Sequence, residues 1–278
     1  MKTAVSFAAL AAAGLIASQA QAQSAPTDWS GPYVSIYGGG LLPEDDEDER
    51  LVFDRDFDGD FDDTVVTGAG ADAFSPGSCG GQALGATPAA GCDDDGEGVE
   101  AGVRVGWDWA FGPIVVGALA EYGVADAEDT VTSYSTTPAF YSSTRTLQRL
   151  GAVRARAGYA FGQNLLYATG GLAQAEITNT FFTSNRANSF TPTVNDDEAD
   201  GWQAGVGWER QLGRGLSFGA EYLYTSLEAG EYDIRVGPGT APATNPFILP
   251  PNTAGTDLRR SNPDFEMHQV RVSMGYRF

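Results

Sequence analysis

The chain of 278 residues carries 37 acidic side chains against 16 basic ones, a formal charge of -21, and hydrophobic residues make up only 42% of it. An acid excess of this size excludes nucleic-acid binding through a basic, phosphate-neutralising patch. The 36 glycines suit either a small barrel with a crowded interior and short turns or a disordered linker protein, and residue patterning has to separate the two.

At the N-terminus Lys2, the only lysine, precedes an apolar stretch from Ala4 to about Ala17 and then Ala20-Gln21-Ala22, a small-x-small cleavage pattern. This predicts a signal peptide over 1–22 with cleavage after Ala22, leaving 23–278 as the mature chain with arginine as its only basic residue. A retained anchor is the alternative, but the stretch is short and rich in alanine. No other segment approaches the roughly 18–20 continuous apolar residues of a spanning helix. An exported chain of this kind is periplasmic, secreted or a barrel.

A first strand is predicted over 33–40, although its alternation is too weak to assign its faces. The first long connection, about 41–97, holds seventeen acids against two arginines. Within it, Asp54, Asp56, Asp58, Gly59 and Asp60 match the opening of a calcium loop, in which oxygen ligands alternate and glycine permits the bend, and Asp62 continues the alternation as a fifth candidate ligand. Position twelve, where such a loop closes with a bidentate glutamate, is Val65. Three readings stand: a specific Ca²⁺ site, a solvated acidic loop that attracts divalent cations loosely, or a hairpin over 51–66 that extends the barrel wall. Cys79 and Cys92, in the same connection and an oxidising compartment, are predicted to form a disulfide, whose ring closure contributes on the order of 3 kcal/mol. Without a companion histidine they make a poor zinc site.

From residue 99 onward the alternation is strong. Val99, Ala101, Val103, Val105, Trp107, Trp109 and Phe111 share one parity, and Glu100, Arg104 and Asp108 share the other; no amphipathic helix produces this pattern. Further strands follow over 114–124, 147–160, 165–177, 201–211, 216–227 and 265–278, with faces left open for 165–177. Tight turns around 111–113, 161–164 and 213–215 alternate with long connections over 41–97, 125–145, 178–199 and 229–264. Eight tilted antiparallel strands with this alternation describe a transmembrane β-barrel with both ends at the periplasmic side. Trp107, Trp109, Phe111, Tyr159, Phe161, Tyr167, Trp208, Phe218, Tyr276 and Phe278 lie near the tight turns or the C-terminus and are predicted to form the periplasmic aromatic girdle. A soluble sandwich would not set charged residues opposite the aromatics of nearly every strand. The inward parity carries Glu100, Arg104, Asp108, Glu121, Arg154, Arg156, Gln203, Glu209, Glu221, Gln269 and Arg271, read as an ion-pair and hydrogen-bond network that plugs the lumen. A narrow conducting path through it is the alternative.

The opening Trp29-Ser30-Gly31-Pro32-Tyr33-Val34, the glycine-aromatic strands and the terminal Tyr276-x-Phe278 resemble the OmpA-like, opacity-type surface-antigen barrels of Gram-negative, notably alphaproteobacterial, bacteria. The resemblance covers the mature chain from about Trp29 apart from the first loop, and it is specific for architecture and weak for activity. It implies an outer-membrane location in contact with lipid and lipopolysaccharide. It also implies a role in envelope integrity, adhesion or environment contact through an unidentified extracellular ligand, and recognition of Tyr276 and Phe278 by the barrel-assembly machinery. No cofactor is expected beyond loosely held Ca²⁺. A small channel and, less strongly, a lipid-modifying enzyme are the alternatives. His268, the only histidine, sits on the outward parity, where lipid A deacylases also keep a histidine; theirs is followed two residues later by serine, and here that position is Val270. An omptin-type protease needs ten strands, and eight are visible.

Overall fold

The computed structural model describes residues 28–44 and 48–278, so the expected signal peptide lies outside the described residues. Eight antiparallel strands form the wall: β1 (Gly31–Pro43), β2 (Gly98–Phe111), β3 (Ile114–Ser135), β4 (Ala139–Phe161), β5 (Asn164–Thr183), β6 (Glu198–Gly213), β7 (Leu216–Ala229) and β8 (Asp264–Arg277). Each pairs with its chain neighbours, and β1 closes the ring by pairing with β2 on one edge and β8 on the other, Val34 lying opposite both Val105 and Tyr276. Closure leaves no barrel edge to template further pairing. The periplasmic turns are two residues each: Gly112-Pro113, Gly162-Gln163 and Arg214-Gly215. The last turn needs left-handed backbone at both positions (φ 55° and 80°), as a type I′ turn requires.

The predicted faces hold. Val103, Val105, Trp107, Val153, Val206, Val270 and Val272 point outward and exposed, while Arg104, Arg154 and Arg271 are buried inside. The two strands left open are also settled, with Tyr33, Tyr37, Leu41, Leu165 and Tyr167 turned inward. Tyr167 is thus a correction, since it fills the lumen and does not join the girdle. The inward ring presses so close to β6 that a Cβ on Gly207 would collide with its hydroxyl end. The outward apolar band ends above at exposed acids, Asp126, Glu176, Asp200 and Glu228, which marks the upper interface with water.

Three strands continue far beyond that interface. β3, β4 and β5 are 22, 23 and 20 residues long, about twice the 9–11 that cross a hydrocarbon layer. The segment 125–145 is therefore no long loop, because β3 and β4 run on to a turn at 136–138. Their register shifts between Val124 and Ala127, and every residue from Asp129 to Tyr134 is buried. A strand covered on both faces loses the alternation that reveals a strand in sequence. Hydroxyl pairs, Thr130–Thr144 at 2.9 Å and Thr132–Ser142 at 2.7 Å, bind the extension together.

The other connections are structured as well. Leu51–Asp54, Thr256–Arg260, Tyr232–Gly237 and Ser189–Asn195 form a separate four-stranded sheet, in that spatial order. Leu51–Asp54 is an edge of this sheet, opposite Asp257 to Arg260, so the hairpin reading that placed 51–66 in the barrel wall is corrected. Beneath the sheet, Phe53, Phe74, Tyr141 and Phe247 pack with ring centroids 4.5–6.3 Å apart, together with Ile234, Val236 and Leu258. This outer cap has its own hydrophobic core. The disulfide between Cys79 and Cys92 is formed and clips the first connection against Tyr134.

Candidate functional site: a layered, filled lumen

β8 reads the filling of the barrel from top to bottom: Phe265 and Met267, then Gln269, then Arg271, then Arg277 near the periplasmic end. Each is buried, and successive inward positions are fixed by the period-2 geometry of the strand.

The central layer is built from β2, β3, β4, β7 and β8. Arg271 makes a bidentate contact with Glu100 at 2.6 and 2.7 Å and reaches Glu121 at 2.5 Å. Arg154 bonds to Glu121 at 2.7 Å and to Glu221 at 3.3 Å, and Arg104 donates to the same two carboxylates at 2.9 and 2.5 Å. Tyr167 adds a hydroxyl to Glu221 at 3.2 Å. Above it, Gln203 and Thr225 both donate to Gln269, which in turn reaches Glu100.

A lower layer joins Arg156 to Asp108 and Glu209, and Arg277 to Asp108 at 2.7 Å and to the Trp29 carbonyl at 2.8 Å. All the sequence-predicted lumen residues are brought together in these layers. Arg277 and the inward tyrosines are additions to the predicted set. Arg277 shares the parity of Arg271, so the signal was present. The tyrosines lay on the two strands of weak alternation, where the guanidinium of Arg156 stacks 4.5 Å from Tyr33 and that of Arg271 4.5 Å from Tyr37.

Charge is balanced within these layers. Among the described residues, the five arginines 104, 154, 156, 271 and 277 face the five acids Glu100, Asp108, Glu121, Glu209 and Glu221. An excess of one sign would favour counter-ions entering the lumen; a balanced and hydrogen-bonded set does not.

Over the charged layers lies an apolar one, in which Leu41, Leu147, Leu150, Leu227, Phe265 and Met267 are all buried in one cluster. Above that a third ionic layer joins cap to barrel: Arg260 grips Glu49 with two bonds of 2.6 Å and Asp129 at 2.9 Å, while Arg145 reaches Asp129 at 2.6 Å. Burial alone would raise the Asp129 pKa, but the guanidiniums of Arg260 and Arg145 outweigh it and hold the carboxyl below its usual range. Passage along the axis would thus cross three ionic layers, a dry layer and the cap.

In the acidic loop the carboxylates of Asp54, Asp56 and Asp58 lie within 4.8 Å of one another, while Asp60 and Asp62 do not join the group. Both oxygens of Asp54 already accept backbone amides, from Phe57 at 2.6 Å and Gly59 at 3.0 Å. The loop is held on the sheet by Arg235 over the Phe57 ring at 3.8 Å and Arg259 over Phe61 at 3.9 Å. Partial desolvation and the crowding charges of Asp58, Asp63 and Asp54 raise the Asp56 carboxyl. His268 faces outward at the upper rim, 2.7 Å from the Tyr222 hydroxyl and 3.9 Å from Glu44. Tyr276 and Phe278 meet edge to face at 5.1 Å on the outer surface.

The model of the outer membrane protein beta-barrel domain family matches residues 8–278. A 25 kDa outer-membrane immunogenic protein of Brucella abortus is 26% identical over 182 residues, 64% of this chain and 65% of that protein. A 22 kDa outer membrane protein of Rhizobium leguminosarum is 28% identical over 49% of this chain and 56% of its own length. The chain thus spans less than two thirds of each of these curated relatives. Among solved structures, the outer membrane protease OmpT of Escherichia coli superposes with a TM-score of 0.43 at 9% identity, covering 89% of this chain and 97% of that one, a likeness too distant to carry an argument.

Proposed function

Because the chain belongs to the outer membrane protein beta-barrel family, we propose that it is a sealed structural barrel that holds a folded cap outside the cell for contact with the surroundings, and that it is neither a channel nor an enzyme. The observation that carries this reading is the filled lumen, with balanced ionic layers separated by an apolar one. Relatives named as outer-membrane and immunogenic proteins support a surface role. Against catalysis stands His268, whose neighbours are Tyr222 and Glu44 on a lipid-edge surface, with Val270 two residues on. The acidic loop attracts divalent cations diffusely, since its own amides occupy Asp54.

The orientation is open to a direct test. Tags inserted near Ala86 or Thr244, both in the cap connections, should be labelled on intact cells, and one at Gln163, in a periplasmic turn, only after the outer membrane is opened. Labelling at Gln163 in intact cells would contradict it.

Partners within the envelope are lipid and lipopolysaccharide along the apolar band, and the barrel-assembly machinery at β8. The Phe278 amide bonds the Pro32 carbonyl at 3.1 Å across the β1–β8 seam, and its ring is exposed toward lipid. Deleting Phe278 should leave export intact and reduce the heat-modifiable, folded form several-fold in the outer-membrane fraction. Unchanged yield of the folded form would count against this role for the last strand.

A further inference from the structure

In the cap, a cleft of about 550 Å³ opens between the edge strand Leu51–Asp54 and the segment 61–74. Its floor includes Val52 and the rings of Phe61 and Phe74, all half-buried. The rim carries Asp62, Asp63 and Asp72 beside Arg50, and the Arg259 guanidinium lies 3.9 Å from the Phe61 ring. Glu49 also borders it but is bound by Arg260.

Two of these rim acids are held in place by neutral donors. Asp72 accepts the Phe74 amide at 2.8 Å and Asp63 the Arg55 amide at 2.6 Å; a neutral donor fixes a carboxylate and leaves its charge. An anionic lipid, a phosphate or a second copy of this acidic chain would meet like charge here. The rim carboxylates do not converge as the Asp54, Asp56 and Asp58 group does, which suits an extended partner better than a bare ion. Lysine and arginine supply what the cleft offers a place for, an aliphatic stem along the half-buried Val52 and Phe74 and a cation among carboxylates.

We propose that this cleft docks a basic peptide segment, a lysine- or arginine-bearing stretch of another protein outside the cell. The inference rests on the outward orientation of the cap given above and adds the chemistry of the partner.

The test uses the full mature chain in nanodiscs of zwitterionic lipid, titrated with a labelled nine-residue peptide of lysine, serine and tyrosine and with its counterpart carrying glutamate for lysine. Saturable binding of the lysine peptide alone is expected, weakening with salt. Asp62→Asn with Asp72→Asn should lower the affinity about tenfold. The asparagine side-chain carbonyl can still accept the Phe74 amide in place of the carboxylate, so the turn is kept. Asp196→Asn with Asp197→Asn, acids of another connection, should leave the affinity unchanged. Equal weakening in both double variants, or a non-saturating isotherm, would overturn the proposal in favour of a diffuse acidic field. Antibody labelling of a tag at Ala86 on intact cells separates the two readings: a hidden tag defeats the outward orientation itself, whereas an exposed tag without peptide binding defeats only the docking.

Discussion

Arg271→Met should lower the unfolding free energy of the barrel by about 3–5 kcal/mol, the cost of leaving a buried charge without its partner. The substitution keeps much of the side-chain volume, so the loss is electrostatic. Glu100 would lose both of its guanidinium bonds and keep only the Gln269 contact at 3.2 Å, while Glu121 would keep Arg104 and Arg154. Neutralising the orphan with Glu100→Gln in the same chain should recover part of the loss, a non-additivity that marks residues in one network. Arg149→Ala is the contrast, because its partner Glu176 sits with it on the exposed outer surface, and unfolding should barely change. Urea titration followed by the mobility of unboiled samples measures all three. Equal sensitivity to Arg149→Ala and Arg271→Met would mean that the interior network does not hold the barrel.

Arg260→Ala should undock the cap while the barrel stays folded. Among the described residues, Arg260 alone joins Glu49 of the first connection to Asp129 of β3; its removal strips the buried Glu49 carboxylate of that guanidinium and leaves Asp129 with Arg145 only, a local cost again of about 3–5 kcal/mol. Limited proteolysis should then cut the cap connections many times faster, with the heat-modifiable barrel core surviving. The same contact sets a pH dependence. The Asp129 pKa in the folded chain lies below its ordinary 3.8, so its stabilisation is fully present above that value and is lost as pH falls through the depressed one. Cap protection should therefore be flat from neutral pH to about 4 and fall only below it. A rise in cleavage already between pH 7 and 5 would point to a different latch.

The wall and the lumen were legible in the sequence because a barrel strand has lipid on one side and polar filling on the other, so parity sorts Val103 and Val105 from Arg104 without further information. Where the two environments resemble each other, the signal fades. Tyr167 is apolar enough for the girdle and polar enough for the lumen, and only the packing against Gly207 and the bond to Glu221 decide its side. The extension of β3 and β4 was hidden for the opposite reason, since residues 129–134 are buried on both faces and carry hydroxyls where apolar residues would have announced a strand. The cap strands are short, and Leu51–Asp54 offers only Leu51 and Phe53 to its core, too few to show a period. They pair only with strands far away in the chain, Phe53 with Leu258 for one, a long-range fact that local patterning does not contain.

Planar-bilayer recording of the refolded mature chain tests the sealed lumen most directly. With Leu147, Leu227 and Phe265 closing the axis between two ionic layers, insertion should produce no stable ohmic steps at any applied voltage that the bilayer tolerates. Uniform, long-lived conductance steps, shifted in size by Arg154→Ala or Phe265→Ala and absent from protein-free controls, would contradict the account and make this barrel a channel.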